Sequence, residues 1–520
     1  MQRQDGNHVR GKWRIWSVTL LLFMLLLNAC GGGGASSDKS DAKGASSETS
    51  TGASGSGGLE SVELTWYYPQ WNTQRDLKTV EQAINDITTK EIQATIRLKP
   101  IENSSYAQKL NTMVASNENF DIAWTSFWMF DYAQNARKGA FLELDGLIDT
   151  HMPELKKTLP GVVWEALKVD GKTYGILNYQ TITNREGFIV QKQYADKYKL
   201  DPASIKQVKD MEPFLTAVKN GEPGIIPFAL TRGGSFEVMK NSFNRLEFIN
   251  NHAIIGIYQD DKELKAIDII QTPEYKEYTE LMHGWFKKGI INQDAANLKS
   301  VNDLKKVGKI ASVFHNVLKP GRDIEEKASF GGKDIALVHL TEPYVGTNTI
   351  IQSMQAISKN SKNPERTLMF LELLNKDERL INLISFGVEG KHYEKVNENT
   401  VKLIEGGGYD PNQTWVFGNT FKAFLREGQS QEVRDQTIKE NESARPSPIL
   451  GFTFDPQPVL TEMANIQAVN DQYGPGLDTG TVDPAQFLQE YIDKRKQAGI
   501  DKVLGEIQRQ LDEWREKTGK

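Results

Sequence analysis

Apolar and polar residues alternate at the start of the folding part of this chain. Val62 and Leu64 are interleaved with Glu63 and Thr65, the pattern of a half-buried strand. The aromatic cluster Trp66, Tyr67, Tyr68, Pro69 and Trp71 follows and is read as a loop at the strand end. Val80, Ala83, Ile84 and Ile87 then recur at helical spacing, which predicts an amphipathic helix. Ala94, Ile96 and Leu98 alternate with Thr95, Arg97 and Lys99, a second strand. Tyr106 to Val114 reads as a helix and Phe120 to Trp124 as a short apolar strand. The order β-α-β-α-β predicts a parallel sheet with right-handed crossovers. Ligands of such sheets gather beyond the carboxyl ends of the strands. The segments at those ends are Trp66–Trp71 and Trp124–Tyr132, both rich in aromatic and short polar residues.

A different pattern precedes this region. Arg3, Arg10, Lys12 and Arg14 lead into an apolar run from Ile15 to Leu27, and Leu27-Asn28-Ala29-Cys30 closes it. The run is shorter than the ~20 residues a spanning helix needs, and it has the form of a cleaved secretory signal. The chain's single cysteine, Cys30, then becomes a lipidation site at the mature N-terminus. From Gly31 to Gly58, 17 of 28 residues are Gly or Ser, a composition too poor in apolar side chains to fold. That stretch is read as a tether.

Composition narrows the function. The formal charge of −6 becomes −9 when residues 1–29 are removed, since four basic residues and one acidic residue leave. An acidic chain argues against nucleic acid and anionic lipid as partners. One cysteine excludes a disulfide framework and a thiolate metal site. The seven histidines show neither an H-E-x-x-H motif nor i, i+4 spacing, and neither a G-x-S-x-G elbow nor a phosphate loop is present. Neither a cofactor nor a metal is expected.

The middle and end of the chain carry a family resemblance. F-D-I-A-W-T-S (120–126), G-A-F-L-E-L-D (139–145), V-D-G-K-T-Y-G-I (169–176) and N-P-E-R-T-L-M-F-L-E-L-L (363–374) occur in that order. Together they resemble the extracellular solute-binding proteins, family 1, of ATP-binding-cassette importers. F-G-V-E-G-K-H-Y (386–393), G-F-T-F-D-P-Q-P-V (451–459), Y-G-P-G-L-D-T-G (473–480) and A-G-I-D-K-V (498–503) resemble a C-terminal domain found in a lipoprotein subset of that family. The resemblance implies an α/β, two-lobed, periplasmic-binding-protein-like fold of type II, with parallel-sheet lobes joined by hinge strands and a helical C-terminal extension. It also implies a saccharide ligand, permease subunits of an importer as partners, attachment to the outer face of the cell membrane through the lipid, and a monomer.

Boundaries follow from the same reading: signal peptide 1–29, tether 30–58, first lobe 59–183, second lobe 184–347, a return segment of the first lobe 348–385, and a largely helical C-terminal domain 386–520 that contributes to the first lobe and the hinge. Crossings between lobes are expected at Gly187–Val190 and Thr347–Ile357, with a third segment near the hinge at Ile449–Phe454. Ile500, Val503, Leu504, Ile507, Leu511 and Trp514 put an apolar stripe on the last helix, expected to pack on the first lobe.

A pyranose presents flat C–H faces and a rim of hydroxyls, so its site needs a ring to stack on and short polar partners. Trp66, Trp71 and Trp128 are the expected platforms, with Gln70, Thr125 and Ser126 as polar partners and Trp285 as a further candidate. Trp164, Trp415 and Trp514 are read as core. A surface-attached carbohydrate-active enzyme and a sensor for a membrane kinase stand as alternatives to a transport protein.

Overall fold

The computed structural model describes residues 59–520 apart from Gly234. The expected signal peptide, Cys30 and the tether lie outside the described residues.

The first five elements follow the sequence pattern. They are strand β1 (Val62–Gln70), helix α1 (Leu77–Ile92), strand β2 (Ala94–Glu102), helix α2 (Asn103–Ala115) and strand β3 (Ile122–Thr125). β1 lies between β2 and β3 and runs parallel to both. β1 is longer than its alternation of Val62 to Thr65 suggests. Leu64, Trp66 and Tyr68 share one buried face, so the period-2 pattern runs on through the aromatic cluster.

Strand β4 (Gly175–Leu177) is the far edge of this first sheet. The chain then enters a second sheet at β5 (Gly187–Gln191). Between them, Asn184 bridges to Tyr344 and Arg185 to Val317. β6 (Ile226–Phe228) belongs to the second sheet, and helix α3 (Ser235–Met239) follows it. β7 (Leu246–Asn250), β8 (Ile255–Tyr258) and β9 (Ile267–Asp268) form a small antiparallel sheet beside it, followed by helix α4 (Pro273–Lys287). β10 (Ile310–His315), helix α5 (Arg322–Ser329) and β11 (Ile335–His339) complete the second lobe's central sheet, in the order β11-β5-β10-β6. The strands press tightly at Gly187. A Cβ there would lie 1.9 Å from the carbonyl oxygen of Val338, so only glycine fits.

β12 (Tyr344–Val345) leads back, and β13 (Met354–Ile357) inserts antiparallel between β3 and β4. Helix α6 (Pro364–Lys376) covers the first lobe, with Asn363 at its N-cap and Pro364 in its first turn. Helix α7 (Gln431–Ser443) leads to β14 (Arg445–Pro446), which pairs in parallel with β12. Three connections therefore join the lobes, near residues 182–187, 339–345 and 445–450.

Phe386, Tyr393, Val401 and Phe417 join the core of the first lobe, while the last three helices correct the expected placement of the end of the chain. Helices α8 (Leu460–Asp478), α9 (Pro484–Ala498) and α10 (Ile500–Thr518) pack on the second lobe, not the first. Ile500, Val503 and Ile507 close on Ala253, Ile255 and Ala266. Leu511 meets Ile257 and Leu264. Tyr473, Leu477, Leu488 and Tyr491 join the core of the second lobe. An apolar stripe dictates that a helix is covered, but any apolar surface of matching shape can cover it.

Candidate functional site

At the carboxyl end of the first sheet four tryptophans gather. Trp124, at the end of β3, is fully buried. Trp71 and Trp128 remain 39% and 46% exposed, an unusual state for rings of this size. Trp415 is half-buried. Its ring lies 5.2 Å from Trp71, 5.9 Å from Trp124 and 6.3 Å from Trp128. Trp128 in turn leans edge-on against Trp124 at 5.4 Å. The result is a terrace of three solvent-facing indoles resting on a buried fourth.

The terrace is held by hydrogen bonds. Trp124 Nε1 donates to Ser353 Oγ at 2.8 Å, and Ser353 Oγ donates to the carbonyl of Trp415 at 2.7 Å. Asn178 Nδ2 donates both to Ser353 Oγ and to the carbonyl of Val416. Trp128 Nε1 donates to the carbonyl of Gln352 at 3.1 Å, so this ring has a fixed orientation although nearly half of it faces solvent. Preset rings lose little freedom on binding a flat ligand.

A cavity of about 270 Å³ adjoins the terrace on the hinge side. Phe127 and Gln352 of the first lobe face Asn316, Val317 and Phe248 of the second across it. Asn184, Asn251 and Asn348 add amide groups, each able both to donate to and accept from a hydroxyl. Glu247 also lines it, accepting from Ser447 Oγ at 2.8 Å, and burial pushes its carboxyl up to about 7. On the other side a larger space of about 690 Å³ separates Trp415, Gln180 and Thr181 from Lys319 and Arg322 beside α5. The terrace thus sits between two cavities that are each walled by both lobes. Such a trough can take an elongated polar ligand with flat faces.

The structure divides the residues expected at the site. Trp71 and Trp128 are brought together on the terrace. Gln70 is half-buried at the end of β1. Four candidates are corrected. Trp66 is fully buried because it shares the inward face of β1 with Leu64 and Tyr68, and its Nε1 donates to Gln355 Oε1 at 2.9 Å. Thr125 is buried and donates to the carbonyl of Phe130, closing the turn in which Phe130 takes φ 50°. Ser126 Oγ donates to the carbonyl of Met129 and accepts from the amides of Trp128 and Met129. Those two hydroxyls shape the loop that carries Trp128. Trp285 lies in the second lobe's core, edge-on to Phe228 at 5.7 Å, with Nε1 donating to Glu212. Trp164 and Trp514 are half-buried. Trp415, read as core, belongs to the terrace instead. The polar stretch Asn412-Gln413-Thr414 before it is the kind of segment that leaves an aromatic at a loop surface.

Among the described residues, no group of three or more His, Cys, Asp or Glu is arranged to hold a metal ion, and no helix is long and apolar enough to cross a membrane.

Comparisons with known proteins agree with this geometry. A domain of unknown function, DUF3502, matches residues 448–516. A carbohydrate ABC transporter substrate-binding protein of Streptococcus pneumoniae is 28% identical over 442 residues, covering 83% of this chain and 86% of that protein. The crystal structure of the N-glycan transport solute-binding protein NgtS from Streptococcus pneumoniae superposes with a TM-score of 0.77 at 25% identity, covering 87% of this chain and 99% of that one. Structures of NgtS in complex with Man1GlcNAc and with Man5GlcNAc match with TM-scores of 0.69 and 0.66, at 25% and 26% identity. They cover 87% and 88% of this chain and 99% and 98% of theirs. The fold is the type II solute-binding fold, and the family resemblance read from the ordered motifs holds.

Proposed function

We propose that this chain, a solute-binding protein of the ABC-importer type by fold and by sequence similarity, captures an oligosaccharide in the trough between its lobes and hands it to a membrane permease. The observation that carries the reading is the terrace of Trp71, Trp128 and Trp415 beside an amide-lined cavity walled by both lobes. Stacked rings take the C–H faces of successive pyranoses, and amides take their hydroxyls. The relatives named above, two of whose structures hold glycans, support the same class of ligand. A transport component rather than an enzyme is supported by the same relatives.

Closure about the three connections is the expected response to ligand. In support, the similarity to NgtS is lower for its glycan complexes, with TM-scores of 0.69 and 0.66, than for the first NgtS structure, at 0.77. Further parts of the reading rest on sequence: Cys30 carries a diacylglyceryl anchor, the 28-residue Gly/Ser stretch is its tether, and the folded part works as a monomer on the outer face of the membrane.

A thermal-shift screen with neutral and acidic oligosaccharides tests the function. A ligand that binds the folded state alone raises the melting temperature, by about 2.7 kcal/mol of stabilisation at a hundred times Kd. Hydrolysis of the added saccharide, or no shift with any of them, would overturn the reading.

A further inference from the structure

We propose that the ligand trough continues into the second lobe beneath the C-terminal helices, in a pocket that takes a neutral terminal pyranose. This rests on the saccharide reading above and extends it to a part of the chain that the terrace does not reach.

The pocket is a cavity of about 430 Å³ between α3, β7, α4 and α8, within the ~300–1,000 Å³ range of small-ligand sites. It shares Glu237, Phe248 and Asn251 with the hinge-side cavity. Asn251 Nδ2 donates to Glu237 Oε1 at 2.5 Å along that common wall. The two cavities therefore share a wall to which these three side chains contribute. Phe236 and Tyr275 supply apolar surface, packed edge to face at 5.1 Å.

The far wall comes from α8, and two features there leave room and polarity. Pro475 lies inside the helix and has no N–H to give the carbonyl of Asp471, four residues earlier. Gly474 lines the pocket, and a Cβ built on it meets nothing within 4 Å. Glycine in a helix interior is destabilising by about 1 kcal/mol relative to alanine. Its presence where a side chain would fill the pocket keeps that space open.

The lining also selects charge. Glu237 and Asp471 present carboxylates to the pocket beside Asp478, whose carboxyl burial pushes up to about 7, while its cations, Arg232 and Lys299, are exposed. Carboxylates accept hydrogen bonds from sugar hydroxyls and repel a uronate or sulfate. Asp478 is fixed in place by Tyr275, whose hydroxyl donates to it at 2.8 Å.

Calorimetric titration of the full mature chain with Man1GlcNAc and Man5GlcNAc tests the proposal. Gly474→Leu fills the pocket. It should weaken Man5GlcNAc at least about tenfold, leave Man1GlcNAc within about twofold, and not lower the melting temperature of the empty protein. Unaltered affinity of the variant for Man5GlcNAc would overturn the pocket and leave the saccharide reading standing. If Gly474→Leu fails to fold, Asp471→Ala, exposed at the rim, should show the same selective loss at about threefold, and its absence overturns the pocket equally. Tetragalacturonate binding as tightly as Man5GlcNAc would overturn the preference for a neutral unit. If the wild-type protein binds none of the three, a short and a long homologue of the sugar found in the thermal-shift screen take their place, and a screen without a hit removes the underlying reading and the pocket with it.

Discussion

Trp124 Nε1 and Ser353 Oγ meet at 2.8 Å inside the first lobe, and this one contact ties the carboxyl end of β3 to the loop that carries Trp415. Ser353 is fully buried and accepts from Trp124 and Asn178 while donating to Trp415. Replacing it by alanine leaves a buried indole N–H and a carbonyl without this partner. Ser353→Ala should lose about 1–3 kcal/mol of stability and also weaken saccharide binding, because Trp415 loses its anchor. Chemical denaturation and titration of the same sample check both effects. A variant with lowered stability but unaltered affinity would detach Trp415 from the ligand.

Trp128 and Trp66 provide a matched contrast. Trp128 is 46% exposed, whereas Trp66 is fully buried among Tyr68, Phe370 and Phe417. Trp128→Ala should weaken binding by ~2 kcal/mol, about thirtyfold, with a nearly unchanged melting temperature. Trp66→Ala should destabilise the empty protein by about 3–5 kcal/mol. If the two variants exchanged phenotypes, the terrace would be misassigned.

The contrast also marks how far the sequence reaches. Alternation from Val62 and from Ala94 and the helical spacing from Val80 placed the parallel core of the first lobe, because burial on one face leaves a period that the eye can follow. The position of Trp66 was hidden by the aromatic run itself, in which inward and outward residues are alike in kind. Thr125 and Ser126 have the hydroxyls a sugar would want, yet a turn wants them too, and backbone carbonyls five and three residues on claim them. Trp415 reaches Trp71 across more than three hundred residues of chain, a proximity that no local pattern encodes. The stripe on α10 was legible, but its partner surface on β8 was not.

Glu247 offers a test of the hinge. It lies on β7 and accepts from Ser447 of the third connection, with Gly346 of the second connection against it. Burial pushes its carboxyl up to about 7, partly offset by the Ser447 hydrogen bond and by Lys240, Gln259 and Arg445. A carboxyl raised in the folded state favours folding most when protonated. Its contribution is whole below about pH 4.5 and is lost as pH rises through about 7. Wild-type stability should therefore fall over this window by an amount of order 3 kcal/mol from this group. Glu247→Gln keeps an acceptor for Ser447 and removes the titration, so its melting temperature should fall less steeply between about pH 5 and 8. Glu186, on the first connection and also raised to about 7 by burial, retains part of the slope. Superimposable curves for variant and wild type would contradict the assignment.

Cys30→Ser tests the anchor. One acyl chain holds a protein only marginally, whereas two hold it stably. The variant should move from the membrane pellet to the soluble fraction, and retention in the pellet after a salt wash would refute a lipid at Cys30.

Arg495 decides whether the C-terminal helices are an integral part of the second lobe. This side chain is fully buried on α9. It donates to Asp268 Oδ1 of β9 at 2.8 Å, to the carbonyl of Ala253 at 2.6 Å and to Asn470 Oδ1 of α8 at 2.5 Å. A buried pair of this kind contributes little net stability over apolar residues, but removal of one partner strands the other charge. Arg495→Leu should therefore cost about 3–5 kcal/mol. Asp268→Asn, added to it, should recover part of that loss by removing the stranded carboxylate, so the two substitutions should be strongly non-additive. Denaturant unfolding of the two single variants and the double variant measures the coupling. Additive losses would mean that α9 touches the second lobe without depending on it. The wall that Gly474 and Asp471 present to the deep pocket stands on this same clamp, since Asn470 precedes Asp471 on α8. A loosened clamp should then weaken Man5GlcNAc more than Man1GlcNAc even in variants that stay folded.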